Sequence, residues 1–170
     1  MALRAAGCAR IIAVDIEPTK LEAALTFGAT DTINALADDP VSKIRALTGG
    51  QGVDYAIDAA GRTQTIEQAF QSVRKFGGLC VFASHPASGE RITLDPHDLI
   101  SGKRIRGSWG GATRPDIDVH RFAALYRDGR LPLDRLVAKR YTLDQINVAL
   151  DDLASGRAMR PLIVLDPSLA

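Results

Sequence analysis

The stretch that decides the fold is ARIIAVDIEPTKLEAALTFGATDTIN, residues 9–34. Its continuous apolar run at residues 11–14 predicts a strand buried on both faces, and Asp15 ends that run. Pro18 suits the first turn of a helix, because its ring fixes φ and its missing N–H is not needed there. Gly28 predicts the end of this helix, and a short strand is expected around residues 32–33.

Asp15 stands where a parallel strand ends, which is a position with a known use. The two carboxylate oxygens can accept both hydroxyl hydrogens of an adenosine ribose, and the same charge repels a 2′-phosphate. No arginine adjoins Asp15 to bind such a phosphate, so the pattern favours NAD over NADP. A second interpretation, that Asp15 only caps the next helix, stays open on this residue alone.

Strand and helix patterns alternate through the next 75 residues, and glycines punctuate them. Ile66, Ala69, Phe70 and Val73 share one face of a predicted helix that Gly77 and Gly78 would end. This alternation predicts an α/β fold with a doubly wound parallel sheet. The expected helices cover residues 40–48 and 63–76; the expected strands cover residues 53–57, 79–83 and 104–109, with a further short strand possible at residues 92–94.

The pattern changes from Trp109 onward. Residues 115–128 predict an amphipathic helix, and a strand is expected within residues 134–143. Thr142 and Gln145 have the spacing of a capping box, which would begin a helix that runs to Leu153. A last strand is expected at residues 162–165. This tail does not repeat the strand and helix units that precede it.

Composition excludes several classes of protein. The chain has 170 residues, 46% of them hydrophobic and 24% charged, with a net charge of +1. This balance is that of a globular domain and gives no reason to expect nucleic acid or an anionic membrane as a partner. No apolar run reaches the roughly 18 residues of a membrane span. The two cysteines make no disulfide framework, so a reducing cytoplasm is the expected location.

The glycine-rich turn that binds a dinucleotide pyrophosphate does not occur before Asp15. Such a turn lies roughly 20 residues before the ribose-binding acid, but only 14 residues precede Asp15. We therefore expect a Rossmann-like sheet that is incomplete at its N-terminus, without its first strand, the glycine turn and the helix that would follow.

Five blocks of sequence together resemble the zinc-type medium-chain alcohol dehydrogenases. They are AGCARIIAVDIEPTKLEAALTFGATDTIN, GGQGVDYAIDAAG, GGLCVFAS, RIRGSWGG and RYTLDQINVALDDLASGRAMRPLIVL, and they span essentially the whole chain. The resemblance implies a dinucleotide-binding domain at residues 1–108. Residues 109–170 resemble the segment that returns to the catalytic domain of the family.

The resemblance also implies a role for individual residues, all of them in cofactor binding. Asp15 and Lys20 resemble the residues beside the adenosine ribose, and Arg160 resembles a late basic residue that meets the pyrophosphate, as a guanidinium does well. The other implied positions border the ribose or the nicotinamide: Ala59, Ala60, Ala83, Ser84, His85, Ser108 and Trp109. His85 departs from the apolar residue usual in the family and is not expected to act as an acid. Surface roles remain open for Lys20 and Arg160, and for Trp109 the open alternative is packing against a missing domain or a second subunit.

The implied reaction is NAD-dependent oxidation of a small alcohol, or reduction of a carbonyl compound. In the family, zinc polarises the alcohol oxygen while hydride passes to the nicotinamide. The zinc ligands come from a catalytic domain whose ligand motifs this chain lacks. We therefore expect a truncated, inactive portion with no catalytic residue and no metal site of its own, and a homo-oligomer or self-associating chain.

Two other hypotheses remain. An acid after the second strand also suits the ribose of adenosylmethionine, so a methyltransferase-like domain is one alternative. A non-enzymatic remnant, from a truncated gene or a misplaced start codon, is the other. The DNA upstream of Met1 is the most informative observation. If an in-frame G-x-G-x-x-G precedes Met1, the start codon is misassigned and the dehydrogenase interpretation is restored.

The missing strand has a structural consequence. In the strand order 3-2-1-4-5-6 the first strand is central, so the strands at residues 11–14 and 53–57 would each keep an unpaired edge. The two edges can close on each other, associate with another copy, or leave the sheet split. Both edges are apolar apart from Asp54, which favours association.

Overall fold

The computed structural model describes residues 1–137 and 139–166. The chain divides into two compact units. The larger is Gly7–Pro115, and the smaller consists of Met1–Ala6 with Asp116–Ala170, within which residues 138 and 167–170 lie outside the described part. The two-domain division at residue 108 stays a prediction.

The larger unit alternates strand and helix, as the sequence predicts. Proline occupies the first turn of three of its helices, those that begin at Pro18, Pro40 and Pro96, and Asp39 and Asp95 cap the last two of these by accepting backbone N–H groups. The elements are β1 (Ile12–Asp15), α2 (Pro18–Thr26), β2 (Asp31–Asn34), α3 (Pro40–Leu47), β3 (Tyr55–Asp58), α4 (Thr63–Ser72), β4 (Leu79–Phe82), α5 (Pro96–Ile100) and β5 (Arg104–Gly107). A short helix, α1 (Ala2–Ala5), precedes them in the chain.

The strands of this unit form two separate parallel sheets. β1 pairs with β2, and Asp15 lies opposite Asn34. β3, β4 and β5 form a three-stranded sheet in that order. An α/β fold with parallel sheets is therefore confirmed. Because successive parallel strands are joined by helices, each sheet carries the loops after its strands at one edge.

The sheet is split between β1 and β3. These strands do not pair with each other, so the free edges of β1 and β3 do not close on each other. Val14 on β1, and Tyr55 and Ile57 on β3, are exposed. Residues with this apolar, β-favouring character occupy the interior of a complete sheet.

Helices hold the two sheets in one unit. α3 packs against both β2 and α4, and α4 packs against β3. The Arg45 guanidinium of α3 donates a hydrogen bond to the Gln71 carbonyl of α4 at 3.4 Å, which connects the two helices. The layer of helices thus continues across the interruption in the layer of strands.

The core of the larger unit lies under the three-stranded sheet. Phe70, Val73 and Cys80 are buried together, with Ala56 and Ile105 among the residues packed against them. Burial of Cys80 confirms the sequence interpretation of this thiol as a small hydrophobe.

Two local predictions were wrong. α4 ends at Ser72, not at Gly77, because Val73 adopts extended backbone and pairs with Val53 in a parallel bridge. Residues 92–94 form no strand: the Thr93 N–H donates to the Glu67 carboxylate at 2.7 Å instead of to a neighbouring strand. In both places a tertiary contact determines the local conformation.

The smaller unit contains α6 (Pro115–Arg127), β6 (Lys139–Thr142), α7 (Ile146–Ala154) and β7 (Pro161–Val164). β6 and β7 are parallel. The capping box is present: the Thr142 side chain accepts from the backbone of Gln145, whose side chain accepts the Thr142 N–H at 3.2 Å. The capping box begins a 3-10 helix over Leu143–Gln145, which leads into α7.

Asp152 is the buried charge of the smaller unit. One carboxylate oxygen accepts the Lys139 ammonium and the Tyr141 hydroxyl, each at 2.6 Å, and the other accepts the Arg157 guanidinium at 2.7 Å. These hydrogen bonds, that from Lys139 foremost, hold the pKa of Asp152 well below its usual range. The same contact raises the pKa of Lys139.

Asp152→Asn is expected to lower the melting temperature at pH 7, since the amide carries no charge for the two cations. A carboxyl with a depressed pKa stabilises the fold above its unfolded value, about 4, and loses that contribution as pH falls further. The difference between wild type and variant should therefore shrink below about pH 4. Thermal melts from pH 3 to pH 8 measure it. Asp151→Asn, at the exposed neighbouring position, is the control, and an equal loss in that variant contradicts the prediction.

Gly52 is required by a close approach of two backbone segments. Its φ is +93°, and a Cβ at this position would lie 2.5 Å from the Ser72 carbonyl oxygen. Gly50 also has positive φ, +84°, but nothing lies within 4 Å of a Cβ built there. Gly50→Ala should cost about 1–2 kcal/mol from backbone strain alone, and Gly52→Ala should cost more, because Ser72 must also move. Urea denaturation of both variants checks the order; equal losses would rule out the close approach as the reason for Gly52.

Candidate functional site

The carboxyl edge of the three-stranded sheet collects seven of the ten residues that the sequence singles out. Ala59 and Ala60 directly follow β3 and are exposed. The residues at 83–85 follow β4, and those at 108–109 follow β5. In open parallel sheets, ligands bind in the crevice outside this edge. Proximity of these three loops follows from the register that pairs Asp58 with Phe82 and Phe82 with Gly107.

Hydrogen bonds join the three loops. The Ala83 N–H donates to the Asp58 carbonyl at 3.0 Å, and the Ser108 N–H donates to the Phe82 carbonyl at 2.9 Å. At Gly61, a Cβ would lie 3.5 Å from the Ser84 Cβ, so the loops after β3 and β4 pass close to each other there. The edge is therefore a connected surface.

Asp58 is a residue of this edge that the sequence interpretation missed. It ends β3 and is 5% exposed. Its Oδ2 accepts the Ser84 hydroxyl and, at 3.4 Å, the Gly61 N–H. The signal was available, because an acid at the end of a predicted strand is the same pattern that identified Asp15.

His85 and Trp109 form a ring pair at the same edge. Their ring centroids lie 4.6 Å apart with the planes at 90°, an edge-to-face arrangement. Trp109 remains 83% exposed. The contact places side chains from the loops after β4 and β5 together, and leaves an indole face open to solvent.

Asp15 is the last residue of β1, in the two-stranded sheet. Its Oδ1 accepts the Glu17 N–H at 3.0 Å, which supports the capping role at the start of α2. Among the residues that the structure describes, no side chain or backbone group binds its Oδ2. One oxygen thus orients the carboxylate and the other is free; because each carboxylate oxygen has two lone pairs, the group can still accept two ligand hydroxyls. Lys20 lies one turn along, exposed in α2.

Arg160 belongs to the other unit. It immediately precedes β7 and is exposed. The turn that carries it is fixed at its other end by Asp152, whose carbonyl accepts the Ala158 N–H at 3.1 Å.

The charged and sulfur-bearing groups around the edge do not make a metal centre. Within residues 1–137 and 139–166, no cluster of three histidine, cysteine or carboxylate side chains has the spacing to hold an ion. Burial, with a contribution from the Asp58 charge, raises the pKa of Cys80 to about 11. Its thiol therefore stays protonated near neutral pH, and only thiolates ligate metals well. No helix of the described chain is long and apolar enough to cross a membrane.

Comparison with known proteins agrees with this geometry. The sequence profile of the family described as "Zinc-binding dehydrogenase" matches residues 1–127. Alcohol dehydrogenase class-2 isozyme 2 from Oryctolagus cuniculus is 33% identical over 163 residues, which are 95% of this chain and 42% of that protein. The chain thus spans less than half the length of this curated relative.

Solved structures give the same result. A crystal structure of an alcohol dehydrogenase zinc-binding domain protein from Burkholderia ambifaria superposes with a TM-score of 0.91 at 38% identity, over 97% of this chain and 44% of that one. A zinc-binding dehydrogenase from Sinorhizobium meliloti 1021, solved bound to NADP, has a TM-score of 0.85 at 28% identity, over 96% and 47%. The chain, with its parallel strands and the loops collected at their carboxyl ends, belongs to the zinc-binding dehydrogenase family.

Proposed function

We propose that this chain is the nucleotide-binding part of an NAD-dependent alcohol dehydrogenase-type oxidoreductase. The observation that carries the proposal is Asp15: its carboxylate is oriented by the Glu17 N–H through one oxygen, and the other oxygen has no partner in the described chain. That arrangement suits a ribose hydroxyl pair and opposes a 2′-phosphate.

The remaining cofactor would lie along the edge already described. Ala59 and Ala60 have small side chains that let a ribose approach the backbone after β3. Backbone groups at residues 83–85 and 108–109 would hold the nicotinamide carboxamide, which needs both a donor and an acceptor. Lys20 would lie beside the adenosine ribose, whereas the role of Arg160, which belongs to the other unit, stays a prediction from the sequence.

When bound, NAD accepts a hydride from the alcohol carbon; the protein supplies orientation. This chain contributes Asp15 to hold the adenosine end and the loops after β4 and β5 to hold the ring that reacts. Zinc does not fit the donor set of the described residues, so no step through a metal is assigned to them. We place the zinc ligands, and the substrate pocket for a small alcohol or carbonyl compound, in the part of the relatives that this chain does not span.

The 170 residues alone are therefore proposed to bind cofactor without oxidising alcohol. Two measurements on the same purified protein test this proposal. Titration with NADH should show saturable binding, whereas incubation with NAD and primary, secondary or aromatic alcohols should produce no NADH absorbance. Alcohol-dependent NADH formation would refute the second half of the proposal.

NADP is the alternative cofactor. The Sinorhizobium meliloti relative was solved with NADP, and Lys20 offers a cation in the first turns of α2 that can attract a 2′-phosphate. NADPH titration in parallel with NADH decides between the two: the Asp15 interpretation requires the weaker binding for NADPH.

A further inference from the structure

Asp58 is a buried carboxylate held by two loops. It is 5% exposed, and within the described residues it forms no ion pair with a lysine, arginine or histidine. Its hydrogen bonds come from the Ser84 hydroxyl and the Gly61 N–H. Because a buried carboxylate without donors is strongly unfavourable, these two groups have to stay in place.

The Asp58 carboxylate also acts electrostatically on a neighbouring group. It contributes, after burial, to the raised pKa of Cys80 on the neighbouring strand. A hydrogen bond that ends on a charged acceptor is roughly twice as strong as one between neutral groups. The link from Asp58 to Ser84 is therefore well suited to fixing the loop that follows β4.

That loop carries one ring of the pair. Ser84 is followed directly by His85, whose ring centroid lies 4.6 Å from that of Trp109 in an edge-to-face arrangement. A continuous series of contacts thus runs from the end of β3 through Ser84 to the exposed indole after β5. Moving Ser84 would shift the His85 backbone and separate the two rings.

We propose that Asp58 is a positioning residue, which holds Ser84 so that residues 83–85 and the His85–Trp109 ring pair keep the geometry that a nicotinamide ring requires. The proposal rests on the proposed function. Ligand-binding groups need placement within about 0.5 Å, and a loop tied only by its own ends does not provide it. Asp58 itself need not touch the cofactor.

Trp109 is the single tryptophan of the chain, so its fluorescence reports the ring pair directly. A protonated imidazole in contact with an indole quenches its emission, so the emission is measured at about pH 5.5, below the ordinary pKa of a histidine. His85→Gln should therefore raise the emission of the wild-type chain. The same change should have no effect when Ser84→Ala or Asp58→Ala is already present, because the rings are then apart.

Two further variants separate positioning from folding. Asp58→Asn keeps an acceptor oxygen for the Ser84 hydroxyl and should restore the response to His85→Gln. Ser88→Ala, at an exposed serine four residues further along the same loop, should behave as wild type. Far-UV circular dichroism establishes that each variant is folded; if Asp58→Ala is not, Ser84→Ala carries the same test.

NADH binding completes the experiment. Ser84→Ala should weaken it about tenfold, as expected for a lost hydrogen bond to a charged group, and Ser88→Ala should leave it unchanged. If His85→Gln raises the emission equally in the wild-type and Ser84→Ala backgrounds, Asp58 does not position the ring pair and the proposal is overturned. If the ring pair responds as expected but no variant binds NADH, the proposed function fails while the positioning role stands.

Discussion

Replacing Asp15 with glycine is expected to abolish the preference for NADH over NADPH and to weaken NADH binding by about a hundredfold or more. Each hydrogen bond to a charged group contributes about 1.5–3 kcal/mol, and a carboxylate that accepts two ribose hydroxyls forfeits both. NADPH binding should stay the same or strengthen, because the charge that repels the 2′-phosphate is gone. Fluorescence titration with both reduced cofactors measures the two dissociation constants.

Two matched variants isolate the cause. Asp15→Asn keeps an oxygen that can accept the Glu17 N–H, so the start of α2 is retained while the charge is lost; it should relax the discrimination without unfolding the turn. Glu22→Gln removes an exposed acid elsewhere on α2 and should change nothing. Equal affinity of the unaltered chain for NADH and NADPH would show that Asp15 is a helix cap only.

The 170-residue chain is also expected to self-associate at micromolar concentrations. β1 and β3 each pair on one side only, and exposed apolar strand edges recruit other chains. The free N–H and C=O groups of such an exposed edge can pair with a second copy, and the apolar side chains beside them leave water when they do, which favours association.

Size-exclusion chromatography with light scattering tests this association. Ile57→Lys puts a charge on the free edge of β3, at a side chain that is 57% exposed, and should shift the chain toward monomer. Leu36→Lys changes an equally apolar residue, 76% exposed but outside any strand, and should leave the association unchanged. A monodisperse wild-type monomer with a cooperative melt would contradict the prediction.

The sequence predicted most of the elements because their signals are local. Proline at the start and glycine after the end define α2 and α3, and the run LCVF has no solvent-facing alternation, as a doubly covered strand requires. α4 shows where such reasoning ends. Val73 continues the helical spacing, but the residues on either side of it, Ser72 and Arg74, hydrogen-bond to Val53, 20 residues before Val73, and no local pattern encodes that bridge.

The residues of the candidate site also differ in whether local sequence predicts them. Asp15 is predictable because an acid after an apolar strand has a chemical use on its own. Asp58 ends β3 by the same pattern, yet its importance comes from Ser84, which only the pairing of β3 with β4 brings within reach. The His85–Trp109 contact likewise depends on β4 and β5 lying side by side. Spatial partners of this kind appear only once the sheet order is known.

The dinucleotide site proposed at the carboxyl ends of the strands can be examined by titration of the 170-residue chain with NADH. Trp109 lies at the proposed nicotinamide end, so NADH should quench its emission saturably, with energy transfer to the dihydronicotinamide, and NAD should reverse the effect. NADPH should bind more weakly, and adenosylmethionine should not compete. Absence of saturable NADH binding by folded chain, or tight binding of adenosylmethionine in its place, would contradict the account.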